Sequence, residues 1–118
     1  MDHCGITLVE SLPGRARVRA DVVPPLTTSR GSAHGGLLMT MLDVAMGHAT
    51  RDSAEGAISF LTIDLQVGFM GPGNGRLVAE GRVVRPGRNI VFCEGDVRDE
   101  EGSLIAKATG VFRPVFPK

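Results

Sequence analysis

Between Gly31 and His48 the chain reads Ser-Ala-His-Gly-Gly-Leu-Leu-Met-Thr-Met-Leu-Asp-Val-Ala-Met-Gly, and from about His34 to Arg51 it is made mostly of strong helix formers. Leu37, Leu38, Met41, Leu42, Val44, Ala45 and Ala49 surround the helical axis instead of lying along one stripe. A helix that is apolar all round has to be covered on most sides, so this segment predicts one central helix with the rest of the chain wrapped about it. At about 100° per residue, Gly36, Thr40, Asp43 and Gly47 fall along one side. That side is small and polar, and it carries a carboxylate.

An ionised carboxylate loses several kcal/mol of hydration in an apolar site unless hydrogen bonds or a counter-charge compensate. Asp43 therefore calls for a physical reason. One reason is chemistry: a desolvated carboxylate beside a bound electrophile serves as nucleophile or general base. The small residues flanking it admit a ligand or another backbone, and close helix packing alone is the competing explanation.

The chain's 118 residues, 42% of them hydrophobic, suffice for one core and predict a single domain over residues 1–118. Thirteen basic residues balance thirteen acidic ones and are dispersed along the chain, which argues against a nucleic-acid partner. Cys4 and Cys93 stand far apart without a paired spacing and read as reduced thiols. The opening residues lack the basic start and sustained apolar run of a secretory signal. The helix, interrupted by Asp43 and Gly47, is too polar to cross a bilayer. The expectation is a soluble cytoplasmic protein with no membrane partner. No grouping of His, Cys, Asp and Glu has metal-ligand spacing, so no metal is expected.

Ile6 to Leu12 and Arg15 to Asp21 read as a hairpin closed at Pro13-Gly14, with Ala16, Val18 and Ala20 opposite Arg15, Arg17 and Arg19. The two prolines and small polar residues of the 23–32 segment favour an extended loop. Phe60 to Phe69 alternates, with Leu61, Ile63, Leu65, Val67 and Phe69 expected on one face and Thr62, Asp64 and Gln66 on the other. Glycine-bearing turns at 71–75, 86–88 and 99–102 separate three further strands and suggest successive hairpins. The predicted class is α+β: a curved antiparallel sheet of about six strands around one long central helix.

With that order in view, the His34-Gly35-Gly36 triplet followed on the helix by Asp43 resembles the hotdog-fold acyl-CoA thioesterases, specifically the PaaI-like group. The strand Thr62-Ile-Asp-Leu, the Phe69-Met-Gly-Pro72 turn, Val84-Arg-Pro-Gly-Arg88 and the finish Gly102-Ser-Leu-Ile-Ala-Lys-Ala-Thr-Gly110 carry the same likeness in the same order. The resemblance covers nearly the whole length. It implies the hotdog fold, homodimers with a dimer of dimers as the further option (a homotetramer), and hydrolysis of an acyl-CoA thioester at the subunit interface. Coenzyme A enters as part of the substrate, and no separate cofactor is implied.

By the same resemblance Gly35 offers its backbone N–H to the thioester carbonyl, while Asp43 of the other subunit attacks or activates water. Thr62 orients the water in a supporting role. His34 and Gly36 lie against the substrate, and Arg85 and Arg88 meet the phosphates of coenzyme A. Thr28 or Ser29 stands where relatives often carry an asparagine, so Thr28 is the substrate-binding candidate there, and a hydroxyl cannot reproduce an amide's paired donor and acceptor. Nine residues of helix separate His34 from Asp43 by about 13 Å of rise and half a rotation, so two copies of the chain are needed to bring such groups to one thioester.

The other titratable residues read more plainly. His34 fits a positioning role at the helix start better than acid-base chemistry. His48 fits a residue favoured by the negative helix end. Cys93 fits a small core residue rather than a nucleophile. Two other functions share the same features: a non-catalytic acyl-CoA-binding or sensing module, and a hotdog dehydratase acting on hydroxyacyl thioesters.

Overall fold

The computed structural model describes residues 5–22, 32–71 and 75–118. Two strands, β1 (Ile6–Leu12) and β2 (Arg15–Val22), precede the helix α1 (Ser32–Ser53). Four strands follow it: β3 (Ser59–Phe69), β4 (Gly75–Arg85), β5 (Val91–Asp99) and β6 (Leu104–Val115). All six belong to one antiparallel sheet in the order β1-β2-β4-β5-β6-β3. This is the helix-clasping sheet that the hotdog resemblance implies.

The β1–β2 hairpin turns at Gly14, whose φ of 80° suits a residue without a β-carbon. Ala16, Val18 and Ala20 are buried against α1, as their alternation with the three arginines requires. The helix exceeds its expected limits by two residues at each end, and Leu38, Met41, Leu42, Ala45, Met46 and Ala49 are all buried. Its all-round apolar character has a direct counterpart in the sheet, which curves to meet several sides of it.

What lets the helix sink onto the sheet is a row of glycines. Gly81 and Gly95 face each other across β4 and β5. A β-carbon on Gly81 would stand 2.5 Å from the Met46 nitrogen and 2.6 Å from the Ala45 carbonyl carbon. One on Gly95 would lie 3.2 Å from Leu42 Cδ2. Backbone therefore packs on backbone at the crossing, an approach that any side chain would forbid.

Two expectations change. The 71–75 turn does not close a hairpin, because β3 pairs with β6 at the far margin of the sheet while β4 pairs with β2 and β5. The helix delivers the chain to the opposite side of the sheet, so the segment after β3 crosses over. Nor is β3 a clean alternation. Its register against β6 shifts between Thr62 and Asp64, a bulge that reverses which residues face the helix. Phe60 packs against the core before the bulge, and Leu65 and Val67 after it. Leu61 and Ile63, expected with Leu65 in one apolar row, are each 55% exposed.

Candidate functional site

The site follows from how β3 lies along α1. The ring of Phe60 fills the space beside Gly47, where a β-carbon would overlap it. Two residues on, the Thr62 Oγ1 donates a 2.6 Å hydrogen bond to Asp43 Oδ1. At the other end of the strand, Phe69 lies over the first helical turn, its Cζ 3.7 Å from where a Gly35 β-carbon would stand. The small side of the helix predicted from Gly36, Thr40, Asp43 and Gly47 is thus the side that β3 covers. Packing uses Gly47, while nothing lies within 4 Å of a β-carbon on Gly36.

Asp43 is half-buried and not dry, on the side of α1 covered by β3, which is the last strand of the sheet among the described residues. Thr62 occupies one of its carboxylate oxygens. The expectation that Thr62 points away from the strand's apolar row holds for Leu61 and Ile63, but the bulge places Leu65 and Val67 on the helix side with Thr62.

A carboxylate held by a hydroxyl on the flank of a buried helix whose first turn carries glycine is compatible with acyl-transfer chemistry. Residues 30–106 match the sequence profile of the thioesterase superfamily. The chain belongs to that superfamily. It is a thioester hydrolase. Among its relatives is a candidate esterase of Halobacterium salinarum, 32% identical over 96% of this chain and 82% of that one. The human acyl-coenzyme A thioesterase 13 is 29% identical over 86% of this chain and 74% of its own length. The fold is also that of the Escherichia coli PaaI protein from the phenylacetic acid degradation operon. Its structure superimposes with a TM-score of 0.83 at 20% identity, covering 95% of this chain and 80% of that one.

Within this thioesterase the two arginines of the β4–β5 turn separate. Arg88 stacks over the ring of Phe116 at 4.0 Å and lines a hollow of about 390 Å³ with Asn89 and Arg113. Arg85 does not line it and instead faces Phe92 across the strands. The ion pairs of the described residues engage Arg15, Arg17, Arg51, Arg76, Arg82 and Arg98, and leave Arg19, Arg85, Arg88 and Arg113 without a carboxylate among those residues. The sequence reading missed Asn89, Arg113 and Phe69. Alternation along β6 signals only that Arg113 is exposed, and its meeting with Arg88 depends on where the turn folds.

Thr28 lies outside the described residues, as does Cys4, and His34 is placed in the first turn of α1 by its backbone alone. Cys93 is a buried core residue; burial raises its thiol pKa, partly offset by its contact with the Thr50 hydroxyl. The picture of His48 as a charge welcomed at the helix end is corrected. The ring is 7% exposed with Nδ1 lacking a hydrogen-bond partner among the described residues. Burial first, and then the Arg51 charge, lower its pKa below 6.5 against the opposing pull of Asp52. Asp52 itself accepts from Ser11 and Arg51. No group of three or more His, Cys, Asp or Glu close enough to hold a metal occurs among the described residues, and none of their helices is long and apolar enough to cross a membrane.

Proposed function

We propose that this thioesterase hydrolyses acyl-CoA thioesters as a homodimer, needing no cofactor, with Asp43 as the catalytic carboxylate and Thr62 holding it. The observation that carries this reading is the Thr62–Asp43 hydrogen bond, which fixes one carboxylate oxygen and leaves the other for the reaction. Water adds to the thioester carbonyl, the carbon–sulfur bond breaks, and the products are a carboxylate, the free thiol of coenzyme A and a proton. Asp43 either takes the proton from that water or forms the first bond to the acyl carbon itself.

Within one chain the carboxylate and the first turn cannot serve the same carbonyl, since Asp43 lies eight residues, or about 12 Å of rise, beyond Gly35. A second copy resolves this. β3 is an eleven-residue edge strand without proline or lysine, with Leu61, Ile63 and Phe69 all more than half exposed, and such an edge invites pairing. Pairing of two β3 edges sets the Asp43 of one protomer towards the Gly35 turn of its partner. The first turn presents N–H groups and the positive helix end to a developing oxyanion, and one such donor is worth about 3 kcal/mol in the transition state.

The acyl-CoA class is supported by the likeness to acyl-coenzyme A thioesterase 13. Arg88, joined by Asn89 and Arg113, takes the phosphates, with the Phe116 ring beneath Arg88 holding the guanidinium in place. Gly36 leaves room for the substrate, with His34 beside it. We also take residues 1–118 as one hotdog domain acting in the cytoplasm.

The deciding experiment follows free thiol release from a panel of acyl-CoAs. Asp43→Asn keeps the shape and removes the basic carboxylate, so turnover falls at least about a hundredfold while the fold survives. Unchanged turnover on the best substrate overturns the assignment.

A further inference from the structure

The side of α1 that carries Asp43 is closed at one end by an aromatic ring. Gly47 follows Asp43 by one helical turn, and the Cε1 and Cζ atoms of Phe60 occupy the point where a Gly47 β-carbon would stand. The ring is braced from behind. It meets the buried ring of Phe112 edge-on, with centroids 5.9 Å apart and planes at 63°, and its centroid lies 6.1 Å from that of the enclosed His48. A ring packed among buried rings is a fixed wall, because close-packed interiors leave it little room to swing aside.

The wall stands close to the carboxylate. Four residues of helix, about 6 Å of rise, separate Gly47 from Asp43, and Phe60 precedes Thr62 by two residues on the same face of β3. Face alternation decides which part of a substrate comes near it. Leu61 lines the hollow shared by Arg88, Asn89 and Arg113, whereas its neighbours Phe60 and Thr62 both turn towards the helix. With the phosphates of coenzyme A in that hollow, the helix side of the strand is left to the acyl group.

We infer that Phe60 sets the upper length of the acyl group, so that this thioesterase selects short-chain acyl-CoAs. The inference rests on the acyl-CoA reading of the Asp43 site and adds the substrate class. The acyl chain runs from Asp43 towards Gly47 and stops against the ring. A rigid end wall refuses each further methylene that does not fit, at a cost of about tenfold or more in kcat/KM. Removing the ring joins the space over Gly47 to the site, with Phe112 as an apolar floor.

Thiol release from acetyl-, butanoyl-, hexanoyl-, octanoyl-, decanoyl- and dodecanoyl-CoA tests this, read as the ratio of kcat/KM for decanoyl- to butanoyl-CoA. A loss of stability alone lowers all six rates together and leaves that ratio where it was. The wild type favours butanoyl-CoA, Phe60→Ala raises the ratio at least about tenfold, and the milder Phe60→Leu raises it by a smaller step. Circular dichroism verifies that each variant is folded, and Phe60→Leu, which keeps most of the packing, gives the reading if Phe60→Ala does not fold. A wild type that prefers decanoyl-CoA, or an unchanged ratio in a folded variant, overturns the inference and leaves the acyl-CoA reading intact. A wild type that releases no thiol from any of the six overturns both.

Discussion

Thr62 reaches from the edge strand to Asp43 on the central helix across 2.6 Å, a hydrogen bond that gives the helix carboxylate a fixed direction. A hydrogen bond to a charged acceptor is worth about 1.5–3 kcal/mol, so Thr62→Ala lowers turnover about tenfold to a hundredfold at saturating thioester. Thr62→Ser retains the hydroxyl and most of the rate. Full turnover in the alanine variant removes Thr62 from the site.

Two glycine-to-alanine changes are expected to diverge. Gly81→Ala drives a methyl into the backbone at Ala45 and Met46, which cannot move aside, and costs about 1–3 kcal/mol of stability. Gly36→Ala meets nothing within 4 Å and gains up to about 1 kcal/mol of helix propensity. Because the proposed substrate passes over Gly36, that stabilised variant loses turnover. Urea midpoints and thiol release measured side by side check both statements; a destabilised Gly36→Ala or a neutral Gly81→Ala contradicts the packing.

Stability should depend on pH through His48. Its pKa in the folded chain is depressed below the unfolded value of 6.5, so the folded state binds the proton less readily. The contribution is fully present above pH 6.5 and is lost as the pH falls below that value and through the folded pKa. Asp52, whose pKa is lowered by Ser11 and Arg51 in spite of the opposing effect of burial, adds its own loss only in more acid solution, below 3.8. Urea midpoints at about pH 8 and about pH 5 should therefore differ, and His48→Gln should narrow the difference. An equal difference in the variant assigns the pH dependence elsewhere.

Charge reversal at Arg88 or Arg113 separates recognition of the nucleotide from the chemistry. Each raises KM for an acyl-CoA about tenfold, the effect of losing roughly one charge-assisted contact. The matching thioester of N-acetylcysteamine, which has no phosphate, is hydrolysed at its wild-type rate. A similar loss on both thioesters relocates the phosphate site.

Phe69 reads out the first turn. Removing its ring in Phe69→Ala uncovers Gly35 and lowers kcat/KM about tenfold through looser positioning of the carbonyl. As a half-exposed residue it contributes little to the urea midpoint. A large fall in stability with an unchanged rate marks it as a packing residue only.

Sequence alone determined the elements and their faces wherever the cause is local. The all-round apolar pattern of Leu37 to Ala49 requires a wrapped helix, and the alternation of Ala16, Val18 and Ala20 with arginines settles the hairpin's buried face. Asp43 and its small neighbours were legible as a candidate site because a carboxylate in such a helix has a solvation cost whatever the fold. Tertiary structure decided the rest. The bulge at Ile63 arises from pairing with β6, and no property of β3's own sequence announces the change of phase that gathers Phe60, Thr62, Leu65 and Val67 towards the helix. Position at the sheet margin, not residue type, leaves Asp43 half-open, and enclosure rather than helix-end charge governs His48. Side-chain period and solvation are properties of neighbours in sequence, whereas strand order and burial depend on which distant segments meet.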